Sequence, residues 1–233
     1  EKKWDPSERE NIINTYKNLT FENPDKDIII WPEAAYPVYY QEAIDTTTEL
    51  NAFAISTNTA LISGAPFWEH NNHEFYFFNS IFVIGKGGGL YHKQKLVPFG
   101  EYVPLEFWIR GLVPFFDLPL SSFTRGSYEQ KPLLAKGYTL APFICYEIVY
   151  PDFVRNYAKN SEFLVTISND AWFGHSWGPA QHFQMARMRA LEAGKFLLRA
   201  TNTGITAIVD QRGLVQSRLP QFQEAVLNGV AFK

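Results

Sequence analysis

The run Asp27-Ile28-Ile29-Ile30-Trp31 is the strongest single constraint on the fold of this chain. Consecutive β-branched residues favour an extended backbone and place apolar side chains on both faces of a strand. A strand of that kind has to be covered on both sides. Residues 137–145 (GYTLAPFIC) and 162–168 (EFLVTIS) repeat the pattern. Residues 60–67 (ALISGAPF), 74–85 (EFYFFNSIFVIG) and 204–210 (GITAIVD) read as further strands.

Helical signals fill the spaces between. Residues 6–20 carry apolar positions on one face, and Ser7 before a run of acids reads as the N-cap. Residues 41–50 and 104–112 read as helices, and so do 148–160, with Pro151 near the first turn. Residues 178–200 read as the longest helix, and residues 85–89 (GKGGG) as a turn. Alternating buried strands and amphipathic helices predict an α/β layered fold with packed sheets flanked by helices. Without repeats, low-complexity tracts or a linker, residues 1–233 read as one domain.

Composition narrows the partners. Hydrophobic residues make up 46% of the chain and aromatics 16%, enough for a large core. The formal charge of −3 leaves no basic footprint, so no nucleic acid partner is expected. One cysteine allows no intrachain disulfide. No apolar run reaches the roughly 18–20 residues that cross a bilayer. No signal segment opens the chain, and taken alone it is expected to be soluble. His92, His175 and His182 do not combine with acids in a metal-ligand spacing, so neither a metal nor an organic cofactor is expected.

Three polar residues each follow an apolar strand: Glu33, Lys93 and Cys145. Rigid strands aim such side chains, and loops admit substrate beside them. A cysteine attacks as its thiolate, and a carboxylate within reach can take the thiol proton. An ammonium favours the anion and donates to the oxyanion of a tetrahedral intermediate. The three together make an acyl-transfer site without histidine. Taken singly, the glutamate also reads as a solvated cap, the lysine as surface charge, and the cysteine as a small buried hydrophobe. On spacing alone both readings of Cys145 stay open.

The surrounding blocks add a resemblance. WPEAAYP around Glu33, YHKQKLVPFGEYVP around Lys93 and ICYEIVYPDFVR around Cys145 resemble the three catalytic blocks of the nitrilase superfamily. KLVPFGEYVPLE, CYEI and the stretch from TISNDAWFG to GITAIVD resemble, within it, the apolipoprotein N-acyltransferases, from about Trp4 to the C-terminus. The resemblance implies a nitrilase-like, four-layer α-β-β-α sandwich. It implies transfer of a fatty acyl chain from a phospholipid donor to the N-terminal amine of a diacylglyceryl apolipoprotein, through a cysteine thioester. Carried over by position, Glu33 is the general base, Lys93 the oxyanion partner and Cys145 the nucleophile. Glu101 matches a second acid in the site, and Tyr146 and Glu147 the residues after the nucleophile. Trp4, Trp172 and Phe173 match aromatic positions near the substrate entrance. The family carries transmembrane helices on either side of this domain, and a strand before KWD, that this chain does not contain. The chain is therefore expected to be a catalytic domain on the periplasmic face of the bacterial inner membrane.

Since a second charge beside the thiol would oppose its ionisation, Glu147 is expected to hold Lys93 in place, with Glu101 helping from the other side. Residues 105–123, rich in Trp, Phe and Leu, read equally as a membrane-facing segment and as a buried helix. The Met–Leu stripe in QMARMRALEAG reads as core. Arg187, Arg189 and Arg199 beside it read as solvated or structural rather than as phosphate ligands. Two rivals remain: a nitrilase-type amidase hydrolysing small amides, and a non-catalytic domain that binds lipid or protein.

Overall fold

The computed structural model describes residues 7–98, 100–102 and 123–233. Trp4, the expected helix at 104–112 and nearly all of the aromatic segment 105–123 lie outside them. Helix α1 (Arg9–Phe21) leads into β1 (Ile28–Ile30), and a 3-10 turn (Tyr40–Glu42) leads into α2 (Ile44–Ser56). Strands β2 (Ala60–Asn71), β3 (Glu74–Gly85), β4 (Gly87–Gly88) and β5 (Leu90–His92) follow. The second half holds β6 (Leu133–Ala135), β7 (Tyr138–Ile144), a 3-10 turn (Cys145–Val149), α3 (Pro151–Ala158) and β8 (Phe163–Ser168). A 3-10 turn (Asp170–Phe173), α4 (Gly178–Ala193), β9 (Leu197–Thr201), β10 (Ala207–Val209) and β11 (Val215–Arg218) complete it.

The strands form two sheets, in the orders β1-β2-β3-β5 and β11-β10-β9-β8-β7-β6-β4. Period-two alternation assigns each strand's side chains to a layer. Ala60 and Ile62 of β2 meet Leu140, Ile144, Val165 and Ile167 of β7 and β8 between the sheets. Leu61 and Ala65, the other face of β2, pack with Leu50 and Ala54 of α2. Phe143 and Leu164 pack outward against Val154 of α3 and Phe183 of α4. The order of layers is thus helix, sheet, sheet, helix. Strand β1 shows why the isoleucine run mattered. Ile28 and Ile30 pack on the inter-sheet core and Ile29 on the α2 side. All three stay partly exposed because β1 is the sheet's edge.

Several expectations are corrected. The N-cap of α1 is Glu8, not Ser7, and it makes no side-chain capping bond. Helix α2 runs on to Ser56, past residue 50. GKGGG is more than a turn, because Gly87 and Gly88 pair with Ala135 and Leu134 as a strand. The long helix stops at Ala193, where Gly194 takes φ 62° and closes it. The following LLRAT is strand β9, paired in parallel with β8, so Arg199 sits in a sheet. Met185, Met188 and Leu191 are exposed, and the buried face of α4 is instead Pro179, His182, Phe183, Ala186, Arg189 and Ala190. The helix thus turns its small and polar residues inward.

The topology gathers strand ends. In the first sheet β1 and β2 are parallel, while β3 is antiparallel to both β2 and β5, so β1 and β5 end at the same edge. In the second sheet β7, β8 and β9 are parallel. Residues just after β1, β5, β7 and β8 therefore come from strand C-terminal ends. Gly64 of β2 lets the chain after β1 pass close by. A Cβ there would lie 2.7 Å from Pro32 O, Ala34 N and Ile167 Cδ1. Gly64→Ala is expected to displace the Pro32–Ala34 backbone and cost about 1–3 kcal/mol. Thermal unfolding should read this as a Tm lowered by roughly 2–12 °C.

Candidate active site

Each part of the site leaves a strand end in a defined way. Trp31 is buried, stacks on Tyr16 at 5.0 Å and donates from Nε1 to Thr20 Oγ1 at 2.9 Å, which ties the end of β1 to α1. Pro32 ends the strand, and Glu33 turns inward to 7% exposure. Its Oε1 accepts from Asn79 Nδ2 at 2.8 Å and its Oε2 from the Asn169 N–H at 2.6 Å. Asn202 Nδ2 holds the Glu33 carbonyl at 2.9 Å. The next residue, Ala34, has φ 46°, a left-handed conformation that a side chain resists.

Lys93 follows β5 and is 1% exposed. Its Nζ donates to Glu101 Oε1 at 2.7 Å and stands 3.8 Å from Glu33 Oε1. Asn79 Nδ2 also donates to Glu101 Oε1 at 3.1 Å, so one amide bridges both carboxylates. Burial works against the ammonium, but Glu101 and Glu33 outweigh it and hold Lys93 above the ordinary lysine range. Lys93, Glu33 and Glu101 thus form one buried cluster.

Cys145 begins the 3-10 turn directly after β7, one residue later than a strand ending on it would place it. Its φ is 53°. The residue is only partly exposed, and its thiol, buried among polar groups, lies within electrostatic reach of Glu33 and Lys93. Burial and the Glu33 charge push it up to about 12, while Lys93 and hydrogen bonding by Ser168 act the other way. The resting group is a thiol, and forming the thiolate requires a base.

Glu147 is fully buried. The expectation is that it holds the Lys93 ammonium, but its bonds run to three backbone N–H groups and the Tyr91 hydroxyl. Oε1 accepts from the N–H of Gln94 at 2.6 Å, the N–H of Lys95 at 3.0 Å and Tyr91 Oη at 2.8 Å. Oε2 accepts from the Ile144 N–H at 2.8 Å. Glu147 therefore fastens the chain after Lys93 to the chain before Cys145. Burial pushes it up to about 7, against the pull of these backbone donors and of Lys93. Tyr146 is 42% exposed and meets Tyr150 edge-on at 5.7 Å. Trp172 and Phe173 are 66% and 38% exposed on the turn after β8. Both stand at the surface, on the turn that follows Asn169, whose N–H donates to Glu33. A cavity of about 1080 Å³ beside β1, lined by Ile28, Ile30, Leu198 and Ile208, borders Asn169 and Asn202 but not Lys93 or Cys145.

A second buried cluster escaped the sequence reading. Asp170 Oδ1 accepts from Ser168 Oγ at 2.5 Å, and Oδ2 accepts from Arg199 Nη2 at 3.0 Å. His182 Nδ1 stands 3.1 Å from Asp170 Oδ1. Burial alone would raise Asp170, but His182 and Arg199 hold it below the usual carboxylate range. Asn79 also escaped notice. Its only signal is the polar Asn79-Ser80 pair inside an apolar strand, and for His182 it is a histidine beside Phe183 and at helical spacing from Pro179 and Ala186. Among the described residues no group of three or more His, Cys, Asp or Glu side chains is arranged to hold a metal ion.

Two measurements follow from this geometry. With its thiol near 12, Cys145 should be alkylated by iodoacetamide at a rate that keeps climbing from pH 7 to pH 10. An ordinary thiol reaches half its limiting rate at pH ~8.5 and flattens by about pH 10, so a rate that flattens by about pH 10 would contradict the environment described. Glu147→Gln turns an amide N–H₂ toward at least one backbone N–H, leaving buried donors unpaired at about 1–3 kcal/mol. Thermal unfolding should show a Tm roughly 2–12 °C lower.

Comparison with known proteins agrees with this architecture. The pattern of the carbon-nitrogen hydrolase family matches residues 2–229. Apolipoprotein N-acyltransferase of Pseudomonas putida is 50% identical over 97% of this chain, which covers 45% of that protein. The Vibrio cholerae protein of the same name is 46% identical over 97% of the chain and 46% of its own length. The chain thus spans about half the length of these curated relatives. Among solved structures, a CN-hydrolase superfamily protein of Xanthomonas campestris aligns with TM-score 0.69 and 19% identity, covering 94% of this chain and 83% of that one. The NitFhit protein of C. elegans aligns with TM-score 0.66 and 19% identity, over 91% of this chain and 55% of that one. With its sheets, its helical layers and the family pattern spanning almost its whole length, the chain belongs to the carbon-nitrogen hydrolase family.

Proposed function

We propose that this chain is the catalytic domain of an apolipoprotein N-acyltransferase, with Cys145 as nucleophile, Glu33 as general base and Lys93 as oxyanion partner. The observation that carries the reading is 50% identity over 97% of the chain to a protein of that name, in a chain whose Glu33 and Lys93 share one buried cluster beside Cys145. The acyl donor is a phospholipid of the bacterial inner membrane, and the acceptor is the free amine of a diacylglyceryl apolipoprotein. The domain faces the periplasm, and the exposed Trp172 and Phe173 are assigned to the approach of substrate, while Trp4, assigned the same part by resemblance, lies outside the described residues. No described helix is long and apolar enough to cross a membrane.

The geometry supports the following chemistry. Glu33 accepts the Cys145 proton as sulfur attacks an ester carbonyl of the phospholipid. Charge moves to the carbonyl oxygen, and the Lys93 ammonium and the Tyr146 N–H receive it. The C–O bond breaks, Glu33 returns the proton to the departing lysophospholipid oxygen, and a thioester remains. The lipoprotein amine then attacks the thioester, and Glu33 takes its proton. Collapse forms the amide and expels sulfur, which recovers its proton from Glu33. Glu101 keeps Lys93 charged and aimed through both half-reactions, and Glu147 holds the two loops at a fixed separation.

Incubation of the full-length protein with phospholipid vesicles, followed by intact-mass measurement, tests the reading. One fatty acyl mass should appear on Cys145, be absent from Cys145→Ala, and discharge onto a diacylglyceryl-cysteine peptide. Glu33→Gln and Lys93→Met should each slow adduct formation by about 10²-fold or more. Ammonia released from small amides without an acyl adduct would favour an amidase. Lipid binding with neither product would favour a non-catalytic domain.

A further inference from the structure

His182 lies on the buried face of α4, 4% exposed, far in sequence from every residue of the three blocks. Its Nε2 is 3.0 Å from the Cys145 carbonyl oxygen. A carbonyl only accepts, so Nε2 carries a proton and donates it. Nδ1 faces Asp170 Oδ1 at 3.1 Å and Arg199 Nη2 at 3.3 Å. Asp170 is 1% exposed and Arg199 2%. Arg199 also donates from Nε to the Ile205 carbonyl at 3.1 Å. The imidazole is thus clamped on one side by a buried ion pair, and it holds the nucleophile's own backbone on the other.

The peptide bond transmits that hold. Residue i's C=O and residue i+1's N–H belong to one planar unit, and in the trans form they point in opposite directions. No cis bond is present among the described residues. Fixing the Cys145 carbonyl on His182 therefore fixes the Tyr146 N–H to point away from His182 and its Asp170–Arg199 pair. Tyr146 stands in the first turn of the 3-10 helix, where N–H groups have no intrahelical acceptor. The left-handed φ of 53° at Cys145 costs about 1–3 kcal/mol and persists only under such restraint.

We propose that His182 is a positioning residue that, by holding the Cys145 carbonyl, aims the Tyr146 N–H at the oxyanion of the acyl-transfer intermediate. Asp170 and Arg199 hold the ring in place. The proposal rests on acyl transfer at Cys145, but on no particular lipid donor. It separates two steps that share the same sulfur. Attack on a carbonyl builds an oxyanion, whereas attack on iodoacetamide builds none.

The full-length protein is acylated with p-nitrophenyl butyrate, read as a p-nitrophenolate burst, and alkylated in parallel with iodoacetamide. His182→Leu should lower the acylation rate about 10²-fold, with alkylation within twofold of wild type and its pH profile unchanged. His182→Gln, whose amide can still donate to the carbonyl, should recover at least tenfold of the loss. Acylation and alkylation falling together, or neither falling, overturns the proposal. Should the leucine variant fail to fold, the glutamine variant decides. It should acylate within about tenfold of wild type, and a hundredfold loss with normal alkylation would overturn the assignment. No burst in the wild-type protein would count against acyl transfer itself, which keeps the two failures distinct.

Discussion

An ammonium at 1% exposure must find an opposite charge, and the arrangement of this site follows from where Lys93 finds it. Glu101 at 2.7 Å supplies the close pair and Glu33 at 3.8 Å the second. Two carboxylates around one cation leave a local excess of negative charge beside the Cys145 thiol. Burial first, and then the Glu33 charge, hold the thiol up to about 12 against the pull of Lys93. In the proposed reaction, sulfur then becomes strongly nucleophilic only as its proton passes to Glu33 and charge leaves for a substrate oxygen. Removing one member of such a buried cluster leaves the others uncompensated, so its parts depend on one another.

Backbone strain accompanies the electrostatics. Ala34 and Cys145, one beside Glu33 and one bearing the thiol, both have positive φ. Each is restrained by packing and hydrogen bonds from neighbouring elements. The chain around Ala34 is pressed by the backbone of β2 at Gly64, and Cys145 is held between the Ile144 N–H bond to Glu147 and the His182 bond to its carbonyl. The rigid sheet and these few bonds offset the unfavourable dihedrals.

Much of this was legible in the chain and some was not. The isoleucine run and the strand at 74–85 were readable because their signals are local: β-branching, alternation and apolar length. The end of the long helix was misread because KFLLRA carries good helix formers, while pairing with β8 decides it as a strand. Glu33, Lys93 and Cys145 stood out by position and by block resemblance. Asn79, Asp170, His182 and Arg199 did not, since each matters only through a partner distant in sequence, such as Asn79 with Glu33 or His182 with Cys145. The Met–Leu stripe misled because side-chain type was read without knowing which face of α4 the sheet covers.

One feature of the architecture reaches beyond chemistry. The first sheet supplies Glu33, Asn79 and Lys93, and the second supplies Cys145, Asn169 and Asn202. The bonds from Asn169 and Asn202 to Glu33, and from Tyr91, Gln94 and Lys95 to Glu147, all cross between the sheets. The polar cluster is therefore a rivet through the sandwich as well as the proposed reaction centre. Any slippage of one apolar sheet face on the other, even far from the thiol, shears the rivet first, so reactivity is a finer gauge of sheet alignment than melting.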